Sequence, residues 1–307
     1  MTPESFRLVQ LRLSLGLVVI WNVMAKAYVL KLQSPDQPGI VAKMTTVLFE
    51  SGGNITEAQQ FEDKTTSSFF MRVAFDLSEL PDACARLRER LAAAAAPLSI
   101  DWQLYEADVA SKAVILVSQH DHCLRDLLYS AWIGEINLEV KAIVSNHPKG
   151  DGLSLTDSIP FHYLPLTPAT KASQEDQVGR IIDEIAPDVV ILARYMQILS
   201  DGLSEHLRGR CINIHHSFLP GFKGAKPYHQ AFERGVKVIG ATAHYVTVDL
   251  DEGPIISQDV EPITHAETPE ELAKKGRDIE RRVLSRAVKW HTEHRVFIHG
   301  RRTVVFS

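Results

Sequence analysis

Hydrophobic residues change their spacing several times in the N-terminal third of the chain. Residues 28–33 alternate between apolar and polar, which predicts a strand, and Ile40, Met44 and Leu48 recur on one face of a predicted helix. The other predicted elements here are strands at residues 55–61, 67–75 and 99–106 and an Ala/Arg/Leu-rich helix at 80–96. The order β-α-β-β-α-β predicts a small split βαβ sandwich, joined to the next unit at residues 106–112.

Turn residues separate these elements. Asp36 is a candidate N-cap for the first helix, and Pro38 suits its first turn, where no amide hydrogen bond is lost. Gly52 and Gly53 predict the end of that helix, because glycine adopts positive φ at little cost. From the residues alone, these positions serve either as turn and cap residues or as part of a ligand site.

Strands alternate with helices in the rest of the chain. The continuous apolar run within residues 188–193 is typical of a strand covered on both faces, and Val178 and Ile182 lie at helical spacing before it. This alternation predicts a doubly wound, mostly parallel sheet, whose site lies beyond the carboxyl ends of its strands. The fold class is therefore α/β, with a βαββαβ sandwich at residues 25–108 and a second, catalytic unit at residues 109–307.

Residues 1–24 form a predicted N-terminal extension outside this fold. An apolar run at residues 13–23 follows basic residues, and Ala25-Lys26-Ala27 resembles a signal-peptide cleavage site. The run is shorter than the roughly 20 apolar residues that a membrane span needs. Cleavage at this point would remove the start of the first predicted strand. We therefore favour a start at Met24 and a cytoplasmic protein.

Composition argues against several classes of partner. The 307 residues carry a formal charge of −5, so no basic surface for nucleic acid is expected. Apolar residues make up 45% and charged residues 23%, which is typical of a soluble globular protein and not of a membrane protein. Cys84, Cys123 and Cys211 show neither metal-ligand spacing nor an even disulfide set, which fits a reducing cytoplasm.

Candidate catalytic residues lie near two predicted strand ends. Residues 211–215 alternate as a strand, so Asn213 and His215 face the same side, and Asp251 lies in a loop just before Gly253. Attack on a formyl carbon needs donors for the oxyanion, a base for the nucleophile and a proton for the leaving nitrogen. Asn213 and a protonated His215 suit the first role, and Asp251 can accept the proton. Each of these residues also has an ordinary structural explanation.

No metal site and no covalent intermediate are predicted. His216, His229 and His244 lack the helical spacing or the paired cysteines of common zinc sites. Ser217 lacks the Gly-x-Ser-x-Gly frame of a nucleophile elbow. The pattern therefore favours direct attack of a nucleophile on the formyl carbon.

The N-terminal unit resembles the ACT domain family. The resemblance rests on the strand order and on the stretches at residues 36–40 and 52–55. It implies a regulatory site near the first strand–helix turn. The residues implied in that site are Asp36, Gly39, Gly53 and Asn54. It further implies a homo-oligomer with an amino-acid effector, for which glycine and methionine are the candidates.

The later motifs resemble the 10-formyltetrahydrofolate-dependent formyltransferase family. They are Asn-x-His at residues 213–215, Ser-x-Leu-Pro at 217–220 and Leu-Asp-x-Gly-Pro at 250–254. By this resemblance Asn213, His215 and Asp251 are the catalytic trio. The residues implied in folate binding are Met196, Gln197, Ile198, Leu199, Thr247, Val248 and Asp249, with His216 beside the pocket. The substrate is then 10-formyltetrahydrofolate, and no cofactor is required.

Two absences indicate the formyl acceptor. Family members that act on glycinamide ribonucleotide carry a glycine-rich phosphate loop after the first strand, whereas residues 118–124 contain no glycine. The basic RNA-binding domain of methionyl-tRNA formyltransferases is also missing. Water remains as acceptor, and residues 25–307 resemble the formyltetrahydrofolate deformylase family. That resemblance implies formate production for purine biosynthesis and a balancing of one-carbon pools.

Two alternatives stay open at this point. A transferase with an unusual amine acceptor would share the folate motifs. A catalytically silent folate or amino-acid sensor would share the fold. Formate release from 10-formyltetrahydrofolate without any added amine would separate both from a deformylase.

Overall fold

Two sheets, a hairpin and the helices around them make up the part of the chain that the structure describes. The structure is a computed structural model that describes residues 25–78, 82–148, 158–221 and 227–307. The predicted N-terminal extension, residues 1–24, lies outside the described residues. Within the described ranges the strands form a four-stranded sheet, a seven-stranded sheet and a two-stranded hairpin.

The N-terminal unit is an antiparallel sheet with two helices on one face. Its elements are β1 (Ala25–Pro35), α1 (Ile40–Glu50), β2 (Asn54–Asp63), β3 (Ser68–Ser78), α2 (Ala83–Ala95) and β4 (Asp101–Glu106). The strand order is β2-β3-β1-β4. The predicted β-α-β-β-α-β order is therefore confirmed, although β1 begins earlier and ends later than its alternating pattern indicated.

The two faces of this sheet differ because successive strand residues point in opposite directions. Leu30 and Leu32 of β1 are buried in one cluster with Met44 of α1 and Leu91 of α2. Lys31, between the two leucines, lies on the opposite, open face. The C-terminal unit packs against this open face.

One helix boundary differs from the prediction. Asp36 is not the N-cap of α1, because Gly39 occupies that position with a φ of +94° and no side-chain cap. The amide of Asp36 instead donates to the carbonyl of Ser67 at 2.8 Å, so the chain completes a turn before the helix begins. At the other end Gly52 adopts a φ of +80°, as the predicted helix end requires.

The C-terminal unit is a mostly parallel sheet. Its elements are β5 (Ser111–Val117), α3 (His122–Trp132), β6 (Leu138–Ser145), β7 (Phe161–Tyr163), α4 (Lys171–Ile185), β8 (Val189–Leu192), α5 (Asp201–His206), β9 (Cys211–His215), α6 (Pro227–Arg234), β10 (Val238–Tyr245), β11 (Ile255–Pro262) and α7 (Pro269–Thr292). The strand order is β11-β10-β9-β8-β5-β6-β7, and β10 runs antiparallel to both of its neighbours.

Helices cover both faces of this sheet. Ile115 and Ile191 lie in a buried cluster that includes α3 and α7 residues such as Leu127 and Val283. Neighbouring strand residues face the other way, into a second cluster that contains Val178 of α4. The apolar runs of β5 and β8 are therefore buried on both sides, which confirms the predicted doubly wound sheet.

The C-terminal segment joins the two units. Helix α7 begins with a capping box of Thr268 and Glu271. A hairpin of β12 (Val296–His299) and β13 (Arg302–Val305) follows and lies against the open face of the N-terminal sheet. There Phe297 packs edge-on against Phe70 of β3, with ring centroids 5.6 Å apart. No helix within the described ranges combines the length and the apolar character needed to cross a bilayer.

Candidate active site

The strands β9 and β10 bring Asn213, His215 and His244 together. Asn213 and His215 lie on one side of β9, two residues apart. In the antiparallel register His244 of β10 lies directly opposite Asn213. Asn213 Nδ2 is 3.2 Å from His244 Nε2. Asn213 and His215 thus line one cavity together with a second imidazole, that of His244, which the prediction did not include.

Asp251 reaches this group from the loop after β10. Its backbone has a φ of +57°, which turns the side chain back toward the strands. Asp251 Oδ1 lies 3.3 Å from His215 Nδ1 and 3.8 Å from His244 Nε2. Gly253 permits this close return, since a Cβ at that position would lie 1.7 Å from the carbonyl oxygen of Tyr245. One carboxylate therefore faces two imidazoles.

One buried polar atom of this group has no hydrogen-bond partner among the described residues. His215 Nε2 is buried and has no hydrogen-bond partner in the described structure. Burial raises the pKa of Asp251, but the hydrogen bond from His215 and the nearby imidazole of His244 outweigh it and hold that pKa well below its usual range. His244 Nδ1 lies 2.9 Å from the carbonyl oxygen of Tyr245, to which it donates. Asp251 is therefore ionised near neutral pH, and His215, whose Nε2 has no described partner, lines a neighbouring cavity.

That cavity has a volume of about 270 Å³ and gathers most of the predicted site. Its walls include Asn213, His215, Asp251 and all of the residues predicted to bind folate, which are Met196, Gln197, Ile198, Leu199, His216, Thr247, Val248 and Asp249. Met196 and Ile198 are 51% and 57% exposed. Exposed apolar side chains beside a polar trio are typical of a site for a partly aromatic ligand.

The loop that carries Met196 is held in place by its backbone. Arg194, directly after β8 and its neighbour Ala193, has a φ of +64°. Ser118 binds this loop twice, because its amide donates to the carbonyl of Arg194 at 3.3 Å and its hydroxyl accepts from the amide of Met196 at 3.0 Å. The turn after β5 therefore shapes one wall of the cavity.

A buried ionic cluster, absent from the sequence-based prediction, lies next to His216. Its centre is Glu280 of α7, which is 1% exposed. Its carboxylate contacts His122 Nε2 at 2.8 Å, Tyr228 Oη at 2.5 Å and Arg194 Nε at 3.2 Å. We call these four residues the Glu280 cluster. A sequence signal for it existed, because Glu280 lies on the apolar stripe of α7 with Gly276 and Leu284.

The Glu280 cluster carries charge inside the protein. Burial alone would raise the pKa of Glu280, but hydrogen bonds from His122 and Tyr228 and the charge of Arg194 lower it below the usual value. Arg194 Nη1 is buried and has no hydrogen-bond partner among the described residues. Burial, with the nearby Arg194 and His215, lowers the pKa of His216 to about 3. His216 is therefore neutral at physiological pH.

Gly276 is required for the Glu280 cluster, and its replacement tests the packing. A Cβ on Gly276 would lie 2.0 Å from Tyr228 Oη, so Gly276→Ala should force Tyr228 away from Glu280. We expect a loss of about 3 kcal/mol in the free energy of unfolding, measured by urea titration. Gly179→Ala in α4 is the matched control, because no described atom lies within 4 Å of that Cβ. If Gly276→Ala were as stable as wild type, as Gly179→Ala is expected to be, the result would contradict this packing.

One group in the described ranges brings metal-ligating atoms together. His122, Cys123 and Glu280 place one such atom each within 4.8 Å of one another. The Glu280 carboxylate already contacts Arg194, and burial raises the pKa of the Cys123 thiol well above its usual value. A cation there would meet a guanidinium and a protonated thiol. The expectation of a metal-free enzyme remains a prediction.

The four predicted regulatory residues flank helix α1 of the N-terminal unit. Asp36 and Gly39 precede α1, whereas Gly53 and Asn54 follow it. Gly39 has a positive φ, and a Cβ on Gly53 would lie 3.0 Å from the carbonyl oxygen of Leu48. Both glycines therefore have backbone reasons to be glycine. Ligand binding at these four residues stays a prediction.

Fold and site together define a formyl transferase-type catalytic unit joined to an ACT domain. The sequence pattern of the formyl transferase family matches residues 111–288, and that of the ACT domain matches residues 28–91. A formyltetrahydrofolate deformylase of Corynebacterium sp. strain P-1 is 47% identical over 278 residues, which cover 91% of this chain and 97% of the relative. The chain belongs to the formyltetrahydrofolate deformylase family.

Solved structures agree with this assignment. A formyltetrahydrofolate deformylase from Pseudomonas putida KT2440, known from its crystal structure, is 47% identical in sequence and superposes with a TM-score of 0.85. The match covers 91% of this chain and 100% of that chain. The glycinamide ribonucleotide transformylase 1 of Symbiobacterium toebii is 29% identical with a TM-score of 0.61, over 67% of this chain and 98% of that one. The similarity to the transformylase thus covers a smaller share of the chain than the similarity to the deformylase.

Proposed function

We propose that this chain hydrolyses 10-formyltetrahydrofolate to tetrahydrofolate and formate. The observation that carries the proposal is the free Nε2 of His215, beside Asn213 and backed on Nδ1 by Asp251, at the wall of a partly apolar cavity. The names of the relatives support the same reaction. The proposed substrate fits the mixed lining, with a pterin against the apolar loop and the formyl group at the trio.

In the proposed mechanism water attacks the formyl carbon directly. Asn213 Nδ2 has two hydrogens, so one can donate to His244 and the other to the developing oxyanion. Protonated His215 donates from Nε2 to the same oxygen while Asp251 stabilises the imidazolium. Asp251, directly or through a second water, accepts the proton of the attacking water. The bond from the formyl carbon to water oxygen forms, the bond to the folate nitrogen breaks, and that nitrogen receives the proton.

An amine acceptor is the second candidate function. The similarity to glycinamide ribonucleotide transformylase favours it. The turn after β5 opposes it, because Ser118 and the glycine-free residues up to 124 replace a phosphate loop, and His122 is bound to Glu280. The proposed acceptor is therefore water.

A formate-release assay tests the proposal. The purified full-length chain is incubated with 10-formyltetrahydrofolate and no amine, and formate is measured with a coupled dehydrogenase. We expect formate and tetrahydrofolate in equal amounts. Absence of formate, together with formylation of an added amine, would replace the hydrolase by a transferase.

His216 is proposed to position the attacking water. Its ring lies 5.2 Å from that of His215 and 6.3 Å from that of Tyr228. His216→Phe keeps the ring but removes its polar atoms, so we expect kcat for formate release to fall about tenfold, as for the loss of one hydrogen bond. An unchanged kcat would remove His216 from the mechanism. Since His216 is neutral, no limb of the kcat–pH profile above pH 5 should disappear in the variant.

Three further expectations belong to the same proposal. The reaction needs no cofactor, because Asn213 and His215 polarise the formyl carbonyl group. The formate would serve purine biosynthesis, and its release would balance one-carbon pools. We also propose a cytoplasmic homo-oligomer with an amino-acid effector at the ACT domain, which sedimentation and effector titration can test.

A further inference from the structure

Arg194 is the single lysine or arginine among the described residues that line the candidate active-site cavity. The same walls carry two acidic side chains, Asp249 and Asp251. Hydrolysis of the formyl group releases formate, a small anion, into this space. The ionised Asp251 repels such an anion, and the repulsion is stronger in a partly buried site than in water. A cation in the cavity wall offsets this repulsion, and Arg194 supplies one.

The guanidinium of Arg194 is mostly buried, and its donors are only partly used. The side chain is 10% exposed, and its Nε lies 3.2 Å from a carboxylate oxygen of Glu280. Nη1 is buried and has no hydrogen-bond partner among the described residues. An arginine carries five N–H donors in a planar fork. The contact with Glu280 therefore leaves donors for a second carboxylate, and such charged pairs are strong when the fork is used.

Glu280 does not satisfy the guanidinium by itself. Its carboxylate also contacts His122 Nε2 at 2.8 Å and Tyr228 Oη at 2.5 Å. Both contacts use acceptor capacity that would otherwise serve Arg194. A buried charge is costly when its hydrogen-bonding groups are left without partners. A small anion at the guanidinium would remove part of this cost.

The backbone holds Arg194 next to the trio. Its φ of +64° is a strained conformation for a residue with a Cβ, and such residues concentrate at active sites and ligand clamps. Ser118 fixes this turn through its amide, which donates to the carbonyl of Arg194 at 3.3 Å. Burial and then the charge of Arg194 lower the pKa of His216, whose ring centre is 5.2 Å from that of His215. The positive charge therefore acts inside the site.

We propose that Arg194 binds the formate product, through the N–H groups that Glu280 does not engage, and draws its carboxylate away from Asp251. The ligand class is a small planar anion, either formate or a trigonal anion of the same shape. The site adds to the trio and to the loop predicted to hold the pterin, because neither of those provides a cation. The identity of the anion rests on the proposed function, whereas anion binding is measured without turnover.

Titration of the full-length chain with isotope-labelled formate, followed by NMR line broadening, tests the binding. Formate has only three non-hydrogen atoms, so we expect a dissociation constant of about 1–10 mM. Nitrate, a planar anion of similar shape, should compete with formate. Formamide has nearly the same shape and no charge, and it should bind at least about tenfold more weakly.

Substitutions assign the binding to Arg194. Arg194→Met/Glu280→Gln removes the cation and leaves no unpaired buried charge, so formate should bind at least about tenfold more weakly. Arg194→Lys keeps the charge but loses the planar fork, and a loss of about threefold is expected. Arg277→Met is the matched control, because Arg277 is exposed on α7 and is not among the described residues that line the cavity. It should bind formate as wild type does, and thermal midpoints verify that each variant folds.

Product inhibition gives a second readout. Formate should inhibit the production of tetrahydrofolate by wild type, with an inhibition constant close to its dissociation constant. A residue that only shapes the folate loop would change KM and this inhibition constant by similar factors. A product site should instead raise the ratio of the inhibition constant to KM by about tenfold in Arg194→Met/Glu280→Gln.

Two outcomes would overturn the site. One is the absence of formate binding to wild type at concentrations up to about 100 mM. The other is equal formate binding by wild type, Arg194→Lys and Arg194→Met/Glu280→Gln. Either result can occur while wild type still releases formate. Conversely, formate can bind to a chain that only formylates amines, so failure of the site is distinguishable from failure of the proposed function.

Discussion

Replacing Asp251 by asparagine should lower kcat for formate release about a thousandfold, which corresponds to about 4 kcal/mol of transition-state stabilisation. The variant keeps the shape of the side chain but loses the charge that faces His215 Nδ1 at 3.3 Å and His244 Nε2 at 3.8 Å. It can neither stabilise an imidazolium nor accept the proton of water. Single-turnover measurement of formate, with saturating substrate, isolates the chemical step.

Glu252→Gln is the matched control for this prediction. Glu252 is the next residue in the same loop, and its carboxylate contacts the exposed Arg301 Nη2 at 2.9 Å. We expect its kcat to stay within about twofold of wild type, since exposed ion pairs contribute little. A rate in Asp251→Asn equal to that of Glu252→Gln would rule out Asp251 as the proton acceptor.

The pH dependence of stability gives an independent check on Asp251. The pKa of Asp251 is lowered in the folded state, so its carboxylate adds to the free energy of unfolding above the ordinary carboxyl pKa of about 3.9. This stabilisation is lost as the pH falls through the pKa of the folded state. Wild type should therefore exceed Asp251→Asn in unfolding free energy near pH 6. The difference should shrink below about pH 4. A difference that grows toward acid pH would contradict the depressed pKa.

Glu280→Ala should lower the free energy of unfolding by about 3–5 kcal/mol. Removal of the carboxylate leaves the Arg194 guanidinium, whose side chain is 10% exposed, buried without its counter-charge. It also strips His122 and Tyr228 of their acceptor. Urea titration at pH 7 measures the loss, and formate release should fall with it because Arg194 begins the loop that lines the site.

Asp278→Ala, two residues away on α7, is the control for Glu280. Asp278 is 52% exposed and pairs with Arg281 on the surface, so its loss should cost less than about 1 kcal/mol. The double variant Arg194→Met/Glu280→Gln should be less destabilised than the sum of its single changes, because no unpaired charge remains. Equal stability losses for Asp278→Ala and Glu280→Ala would refute the buried-charge explanation.

Local patterns predicted most of the elements. The apolar run of β8 and the helical spacing of Val178 and Ile182 in α4 both depend on neighbours a few residues apart. Asn213 and His215 were placed on one side of β9 for the same reason, since a strand directs alternate residues to one side. The prediction of Asp36 as the N-cap was wrong because several polar turn residues precede α1. Their spacing alone does not show that the helix begins after Gly39.

The sequence by itself determined the two α/β units, the strand that presents Asn213 with His215, and the motif that supplies Asp251. Only the tertiary structure decided that His244 joins them and that Glu280 binds Arg194, His122 and Tyr228. These contacts join residues up to 158 positions apart, as in His122 with Glu280. Periodicity reports which face a residue takes within one element, whereas strand order, register and helix packing decide which faces meet.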